Sequence, residues 1–214
     1  MKKGLLGLAL GSAIVLSGCT FGASDHEQLS QALSDVYKEE QGYRDAQKEL
    51  ASLEKKEQTT FNEVMELTQE DSEKVKTLVS ELIVSVDQRL ALLEEEKKSM
   101  DSAKEKVSSI KEVSKEVKDA KSKASIDELE KAMEDRYAAH EKITTEYIAL
   151  TDQQTVLYEL LTNEDTKQEN LQEQVTVVNN QNEKVQSAIQ TFNDSTIAIN
   201  ELKSNVYSTL SSEK

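Results

Sequence analysis

Residues 75–117 read VKTLVSELIVSVDQRLALLEEEKKSMDSAKEKVSSIKEVSKEV, and their apolar side chains recur at alternating steps of three and four. That spacing places them on one face of an α-helix, as in the seam of a helical bundle or coiled coil. The members of this face are Val75, Val79, Leu82, Val86, Leu93, Met100, Ala103, Val107, Ile110 and Val117. No segment alternates with a period of two, so the sequence predicts helices and no sheet.

The same spacing recurs over residues 126–161 and 171–210 and, more weakly, over residues 29–64. The chain contains no proline, and Gly42 is its only glycine after Gly22. Both residue types interrupt helices, so their scarcity favours long helices over disorder.

Three Ser/Thr-x-x-Asp/Glu capping boxes predict where helices begin, with N-caps at Thr68, Ser125 and Thr162. They predict four helices over residues 26–67, 69–122, 126–161 and 163–210. Short connections favour antiparallel neighbours. The predicted fold is therefore all-α, an elongated antiparallel up-and-down four-helix bundle over residues 26–211. A three-helix, spectrin-like rod is the alternative, in which one predicted break is only a kink.

The N-terminus has the features of an export signal. Two lysines follow Met1, an apolar stretch runs to Leu16, and the sequence Leu-Ser-Gly-Cys closes at Cys19. The apolar stretch is too short to span a bilayer. The Leu-Ser-Gly-Cys sequence at residues 16–19 resembles the bacterial lipobox. We expect residues 1–18 to be a signal peptide that is cleaved between Gly18 and Cys19. Residues 19–25 would then form a lipidated N-terminus and a short tether, because diacylglycerol on Cys19 suffices for stable anchoring.

Charge and composition limit the possible partners. Loss of Lys2 and Lys3 with the signal peptide takes the net charge from −15 to −17. So acidic a chain is not expected to bind nucleic acid, because phosphate binding requires clustered Lys or Arg. One cysteine and two histidines give too few ligands for a zinc site. We expect no metal and no cofactor apart from the covalent lipid on Cys19.

Polar residues at seam positions are the candidates for a function beyond packing. The strongest candidates are Arg89, Glu96, Arg136, His140, Glu54 and Glu57. We call the positions that follow the three-and-four spacing the comb, and it also includes Glu40, Gln47, Asn182 and Thr196. One interpretation is an interior layer of ion pairs that fixes helix register. The other is a site for an anionic ligand between helices. His140 on an apolar face is typical of a core histidine.

Tyrosines and amides offer two further hypotheses. Tyr137, Tyr147, Tyr158 and Tyr207 could line a groove for a sugar, although their helical spacing equally indicates core packing. The amide-rich stretch at residues 179–182 could contact wall glycans or simply be solvated. No catalytic constellation is recognisable, and we expect no enzyme.

Several motifs together resemble the YkyA-like family of cell-wall-binding lipoproteins of Firmicutes. They are the lipobox, the acidic first helix, Arg89-Leu90-x4-Glu95-Glu96-Lys97, Met133-Glu134-Asp135-Arg136-Tyr137, Leu157-Tyr158 and Phe192-Asn193-x2-Thr196-x3-Asn200-x2-Lys203-x3-Tyr207. The resemblance extends over nearly the whole chain and implies an up-and-down helical bundle. It implies no catalytic residues.

Resemblance and residues together indicate a lipid-anchored structural or interaction protein on the outer face of the membrane of a Gram-positive envelope. The expected partners are the membrane, through the lipid, and peptidoglycan or an envelope protein. The alternative is a binding module that docks a partner enzyme of wall synthesis or turnover.

Overall fold

A computed structural model of the protein describes residues 23–211. Five α-helices follow one another: α1 (Asp25–Glu39), α2 (Gln41–Glu66), α3 (Ser72–Glu116), α4 (Ala120–Thr162) and α5 (Gln168–Ser211). A single 3-10 turn, Gln69–Asp71, precedes α3, and the described residues contain no strand. The predicted all-α bundle is confirmed.

The chain divides into two compact units. Among the described residues, unit 1 comprises residues 23–43, 98–141 and 190–211, and unit 2 comprises residues 44–97 and 142–189. Each unit packs four helical segments, so the three-helix alternative is wrong. In unit 1 the segments come from α1 and from parts of α3, α4 and α5. In unit 2 they come from α2 and from the remaining parts of those helices.

The segments of α2 and α3 in unit 2 are antiparallel neighbours. In unit 2, Lys74 of α3 pairs with Glu63 of α2 at 2.8 Å, whereas Ser85, further along α3, bonds Glu57, which precedes Glu63 on α2. An apolar cluster of Val64, Val79, Leu82, Val86, Leu157 and Tyr158 fills part of this interior. The apolar comb of the sequence therefore marks the faces that the helices bury.

The first predicted helix is interrupted at Glu40, which separates α1 from α2. Ser99 of α3 bonds the backbone there: its hydroxyl donates to the Glu39 carbonyl and accepts from the Tyr43 amide at 3.0 Å. A Cβ on Gly42 would lie 3.0 Å from the Ser99 Cβ, so glycine permits this close approach. Predicting one helix over residues 26–67 was therefore wrong, since the chain forms two helices that meet at Glu40, where a residue of another helix bonds the backbone.

The predicted helix starts have mixed outcomes. Thr68 is confirmed as an N-cap, and the Asp71 carboxylate accepts from its amide at 3.0 Å. The N-cap predicted at Ser125 is wrong, since that residue lies within α4. Helix α4 begins instead after Asp119, whose carboxylate accepts from the Ser122 amide at 2.7 Å.

The N-cap predicted at Thr162 is also wrong, because this residue ends α4 and α5 begins only at Gln168. The Thr162 hydroxyl donates to the Glu159 carbonyl at 3.0 Å, within its own helix. Asn163 stabilises the connection by accepting from the Asp165 amide at 3.0 Å. The predicted bounds 69–122, 126–161 and 163–210 are therefore displaced by as much as six residues, although breaks occur near both places.

Candidate functional site

A buried arginine occupies the interior of unit 1. Arg136 of α4 holds both oxygens of Glu40, with Nη1 at 2.5 Å from Oε1 and Nη2 at 3.3 Å from Oε2. Its Nε donates to the Thr196 hydroxyl at 2.9 Å, and Tyr137 donates to the same carboxylate at 2.8 Å. Arg136 and Glu40 are 3% and 2% exposed, so each compensates a charge that would otherwise be buried alone.

Aromatic rings surround this pair. The Arg136 guanidinium lies 4.4 Å from the centre of the Phe192 ring, close enough for a cation–π interaction. His140 packs edge-on against Tyr43 and Phe192, with ring centres 5.7 and 5.8 Å away. His140 is therefore packed into an aromatic core. In the same unit, burial lowers the pKa of the Lys203 amine, and this effect is larger than the opposite effect of the Glu40 charge.

A second buried arginine lies in unit 2. Arg89 of α3 is 1% exposed, and its Nε lies 2.9 Å from Glu57 Oε2. Its Nη2 donates to Glu57 Oε1 at 2.9 Å and to Gln154 at 2.8 Å, and its Nη1 donates to the Tyr147 hydroxyl at 3.0 Å. The guanidinium is thus bonded on several sides by groups of its own unit.

Glu57 is the acceptor at the centre of this network. Besides Arg89, the Ser85 hydroxyl donates to it at 2.9 Å and the Tyr158 hydroxyl at 2.7 Å. Donors from α3 and α4 therefore converge on one carboxylate of α2, which is how a buried anion is satisfied.

Further carboxylates adjoin this network. Glu54 accepts from the Tyr147 hydroxyl at 2.8 Å, and burial raises the pKa of Glu54, outweighing that bond and the charge of Arg89. Glu57 and Glu96 raise the pKa of Glu54 further by repulsion. Burial and the charge of Glu54 likewise raise the pKa of Tyr147. The interior of unit 2 therefore holds more acids than Arg89 alone can balance.

Glu96 is fully buried, and Gln47 of α2 donates to it at 2.6 Å. Gln47 thus bonds a seam carboxylate from the neighbouring helix. Glu96, a polar residue at a comb position of α3, is therefore paired with a residue of α2.

A shallow groove of about 180 Å³ lies between α2 and α3 in unit 2. Glu57 and Thr60 lie at its buried side, and Lys56, Glu81 and the half-exposed Val84 lie along its rim. Its volume is below the roughly 300–1,000 Å³ of common small-molecule sites. The carboxylate of Glu57, one of the lining residues, is already bonded to three side chains of the unit.

Some predicted candidates do not enter an interior. Asn182 is exposed, whereas its neighbour Gln181 is buried and donates to the Glu146 carboxylate at 2.7 Å. Tyr207 is half-buried against His26, with ring centres 4.7 Å apart. Gly18 and Cys19, the predicted cleavage and lipidation residues, lie outside the described residues.

The residues that sequence reasoning missed are the tyrosine hydroxyls that serve the buried acids. Tyr137, Tyr147 and Tyr158 are buried rather than available as a sugar platform. Their signal was present in the sequence, because spacings of ten and eleven residues repeat after about three helical turns. Tyr137 also adjoins Arg136 in the sequence, so one short segment supplies two donors to Glu40.

Two properties of the described part of the chain bear on its class. Within residues 23–211, no helix is both long enough and apolar enough to cross a membrane. In the same range, no three His, Cys, Asp or Glu side chains are grouped so that they could hold a metal ion.

Comparison with known proteins assigns the class. The chain belongs to the YkyA family, whose description is "Putative cell-wall binding lipoprotein" and whose model matches residues 24–209. The lipoprotein YkyA of Bacillus subtilis (strain 168), described as uncharacterized, is 26% identical over 202 residues, covering 94% of this chain and 90% of that protein. A conserved Staphylococcus aureus protein of unknown function, known from a crystal structure, shares the fold with a TM-score of 0.72. It is 14% identical, and the match covers 87% of this chain and 97% of that one.

The family resemblance predicted from the sequence is therefore confirmed. Membership supports an extracytoplasmic lipoprotein with a helical bundle. None of the matched descriptions names an enzymatic activity.

Proposed function

We propose that this protein is a lipid-anchored, non-enzymatic interaction protein on the outer face of the cell membrane. One observation carries the proposal. In both units the interior arginine is bonded to acids and hydroxyls of the same unit: Arg136 to Glu40, and Arg89 to Glu57. Polar groups committed to one another stabilise a bundle but are not available to a substrate, so contacts with partners would be made by the outer surface.

Anchoring through Cys19 is the first part of the proposal. The lipobox and membership of a lipoprotein family support it. Mass spectrometry of the protein from cells should find a mature N-terminus at an acylated Cys19. Cys19→Ala should abolish acylation and alter processing. An unacylated N-terminus at another residue would reject the anchor.

Wall association is the second part. The family description supports it, whereas a net charge of −17 after cleavage opposes direct attraction to anionic wall polymers. We expect only weak co-sedimentation of the mature chain with purified peptidoglycan, and no stronger binding to wall that bears teichoic acid. Tight, saturable binding to bare peptidoglycan would contradict this expectation and indicate a true glycan site.

A second candidate, docking of a partner enzyme of wall synthesis or turnover, is favoured by the distribution of exposed apolar side chains. Of the seven large ones among residues 23–211, six lie in unit 2. They are Met65, Val84, Ile148, Val156, Val175 and Val177. Crosslinking in cells followed by affinity purification should recover an envelope protein with the wild type and less of it with Val84→Gln. Ile197→Gln, in unit 1, is the matched control.

A further inference from the structure

Helix α5 carries a lysine at a position that otherwise belongs to the core of unit 1. Lys203 lies four residues after Ile199 and three before Val206, which are 1% and 0% exposed, so it shares their face of the helix. Lys203 itself is half-buried. A lysine among core residues is normally paired with an acid, because an ammonium that loses water without gaining a partner is costly.

The structure does not supply such a pair for Lys203. Within residues 23–211 its amine forms neither a hydrogen bond nor an ion pair. Burial lowers the pKa of this amine, and the one acid of that range whose charge opposes the effect is Glu40. Glu40, however, is already held by Arg136 and by the Tyr137 hydroxyl. The positive charge of Lys203 is therefore left without a bonded counterpart.

The acids on the helices around Lys203 do not fill this role. Asp35 of α1 is bonded to a lysine of its own helix, and Glu130 of α4 pairs with Lys111 of α3 at 3.5 Å. Glu201 is exposed, and residues two apart on a helix do not face each other. An anion from outside the chain would therefore meet an ammonium that the unit has not neutralised.

Two further donors flank Lys203 on α5. Asn200 lies three residues before it and Tyr207 four residues after it, so the three side chains are neighbours on the helix surface. Asn200 forms no hydrogen bond within the described part of the chain. Burial raises the pKa of Tyr207, and a hydrogen bond with Ser30 opposes that rise. A bond that favours the phenolate is one that the Tyr207 oxygen accepts, so the hydroxyl can still donate.

These three residues, which we call the donor row, lie where α5 meets α1. The ring of Tyr207 packs against that of His26 in α1, with centres 4.7 Å apart. Asn200 is seven residues, or about two turns, before Tyr207 and so lies on the same side of α5. All three members of the donor row are half-buried, so a small group can reach them from solvent.

We propose that the donor row binds a single carboxylate group of a wall component. Its source is either an acidic amino sugar or the C-terminus of a peptide. One ammonium matches one negative charge, and the flanking amide and hydroxyl can donate to the second carboxylate oxygen. A polyanion would instead require clustered basic residues. The inference deepens the proposed wall association and rests on it for the source of the carboxylate.

NMR titration of the mature chain, residues 19–214, tests the site at constant pH and ionic strength. The probes are N-acetylmuramic acid, N-acetyl-D-alanine and N-acetylglucosamine, which lacks the carboxylate-bearing ether of the first. Both carboxylates should shift the backbone amide signals of the donor row in a saturable manner, and N-acetylglucosamine should not. The probe that binds more tightly identifies the source of the carboxylate.

Single substitutions assign the contact to its residues. Lys203→Gln should weaken carboxylate binding about tenfold or more, the change expected for one charged hydrogen bond, and Tyr207→Phe about threefold. Lys131→Gln is the matched control, because it removes the same charge from an exposed position of unit 1. It should leave the affinity unchanged.

Three binding results would overturn the inference: no saturable shift, an equal response to N-acetylglucosamine, or tighter binding of inorganic phosphate than of either carboxylate. Stability provides a separate check. Lys203→Met should be at least as stable as wild type, because it removes a partly desolvated charge and leaves no bonded partner behind. A melting temperature well below that of wild type would show that Lys203 has a structural partner, and would also overturn the inference.

This site and the proposed wall association can fail separately. If the carboxylate probes bind but purified peptidoglycan does not retain the mature chain, the site stands and wall association fails. If peptidoglycan retains wild type and Lys203→Gln equally while the probes do not bind, wall association stands and the carboxylate site is rejected.

Discussion

Loss of the buried arginine of unit 2 should be among the most destabilising single changes in the protein. Arg89→Met fills a similar volume but leaves Glu57 as a buried anion with only two hydroxyl donors, Ser85 and Tyr158. Removing one partner of a buried ion pair costs about 3–5 kcal/mol. For a domain of this size that lowers the melting temperature by about 6–20 °C, since each kcal/mol shifts it by about 2–4 °C.

Circular dichroism at 222 nm during thermal and urea unfolding measures this loss. Lys74→Met is the matched control, because Lys74 also joins α3 to α2 through a 2.8 Å ion pair but is about half exposed. It should leave the midpoint nearly unchanged, since solvent screens that pair. The double variant Arg89→Met with Glu57→Leu should recover most of the lost stability, because neither charge is then buried alone.

Two results would refute the reasoning. One is an Arg89→Met variant as stable as wild type, which would mean that Glu57 without its arginine is not a costly buried charge. The other concerns an anionic ligand: if inorganic phosphate raised the melting temperature of wild type but not of Arg89→Met, Arg89 would be a ligand group rather than a structural one.

Three further predictions test the helix ends and the interior acid. Ser99→Ala removes the hydroxyl that bonds the backbone at the break between α1 and α2, and urea unfolding should show a loss of about 1–3 kcal/mol. Asp119→Ala should reduce the melting temperature by removing the α4 cap, whereas Thr162→Ala, at a position that caps no helix start, should have a smaller effect. The pKa of Glu54 is raised in the folded chain, so its ionisation opposes folding increasingly as pH rises above the ordinary value of 4.5. Glu54→Gln should therefore raise the melting temperature at neutral pH and lose that advantage as pH falls towards 4.5, and a constant or inverse difference would show that burial does not penalise the ionised Glu54.

The helices were predictable because a helix in a bundle buries an apolar stripe. The apolar residues from Val75 to Val117 form such a stripe and can be recognised from the sequence. Most of its members, including Leu82, Ala103 and Ile110, are buried. Arg89 and Arg136 could also be selected from the sequence, because arginine is scarce in this chain and two of its three copies lie on the comb. The acids that pair with them could not be predicted, since Glu40 and Arg136, for example, are 96 residues apart in sequence.

Helix ends were less predictable for a physical reason. In a chain rich in Ser, Thr and Glu, a hydroxyl three residues before an acid also occurs inside helices, as at Ser125. The same hydroxyls bond carbonyls of their own helix, as Thr162 does with Glu159. The true start of α4 is capped by Asp119, which the Ser/Thr pattern does not include. At the break near Glu40, Gly42 is a local signal, but the hydrogen bonds from Ser99 come from another helix and could not be read from the local sequence.

The two arginine networks also suggest why a bundle with a repeating apolar comb settles in one alignment. Apolar faces alone tolerate a slip of one heptad, about 10 Å along the axis. Such a slip of α2 against α3 would exchange Glu57, the partner of Arg89, for Leu50 or Val64, and both are buried apolar residues. Arg89 would then be a buried charge without its carboxylate, at a cost of several kcal/mol that the apolar contacts of the slipped state cannot offset. We therefore propose that these ion pairs contribute less to overall stability than to selecting a single register, which fixes the surfaces that the bundle presents.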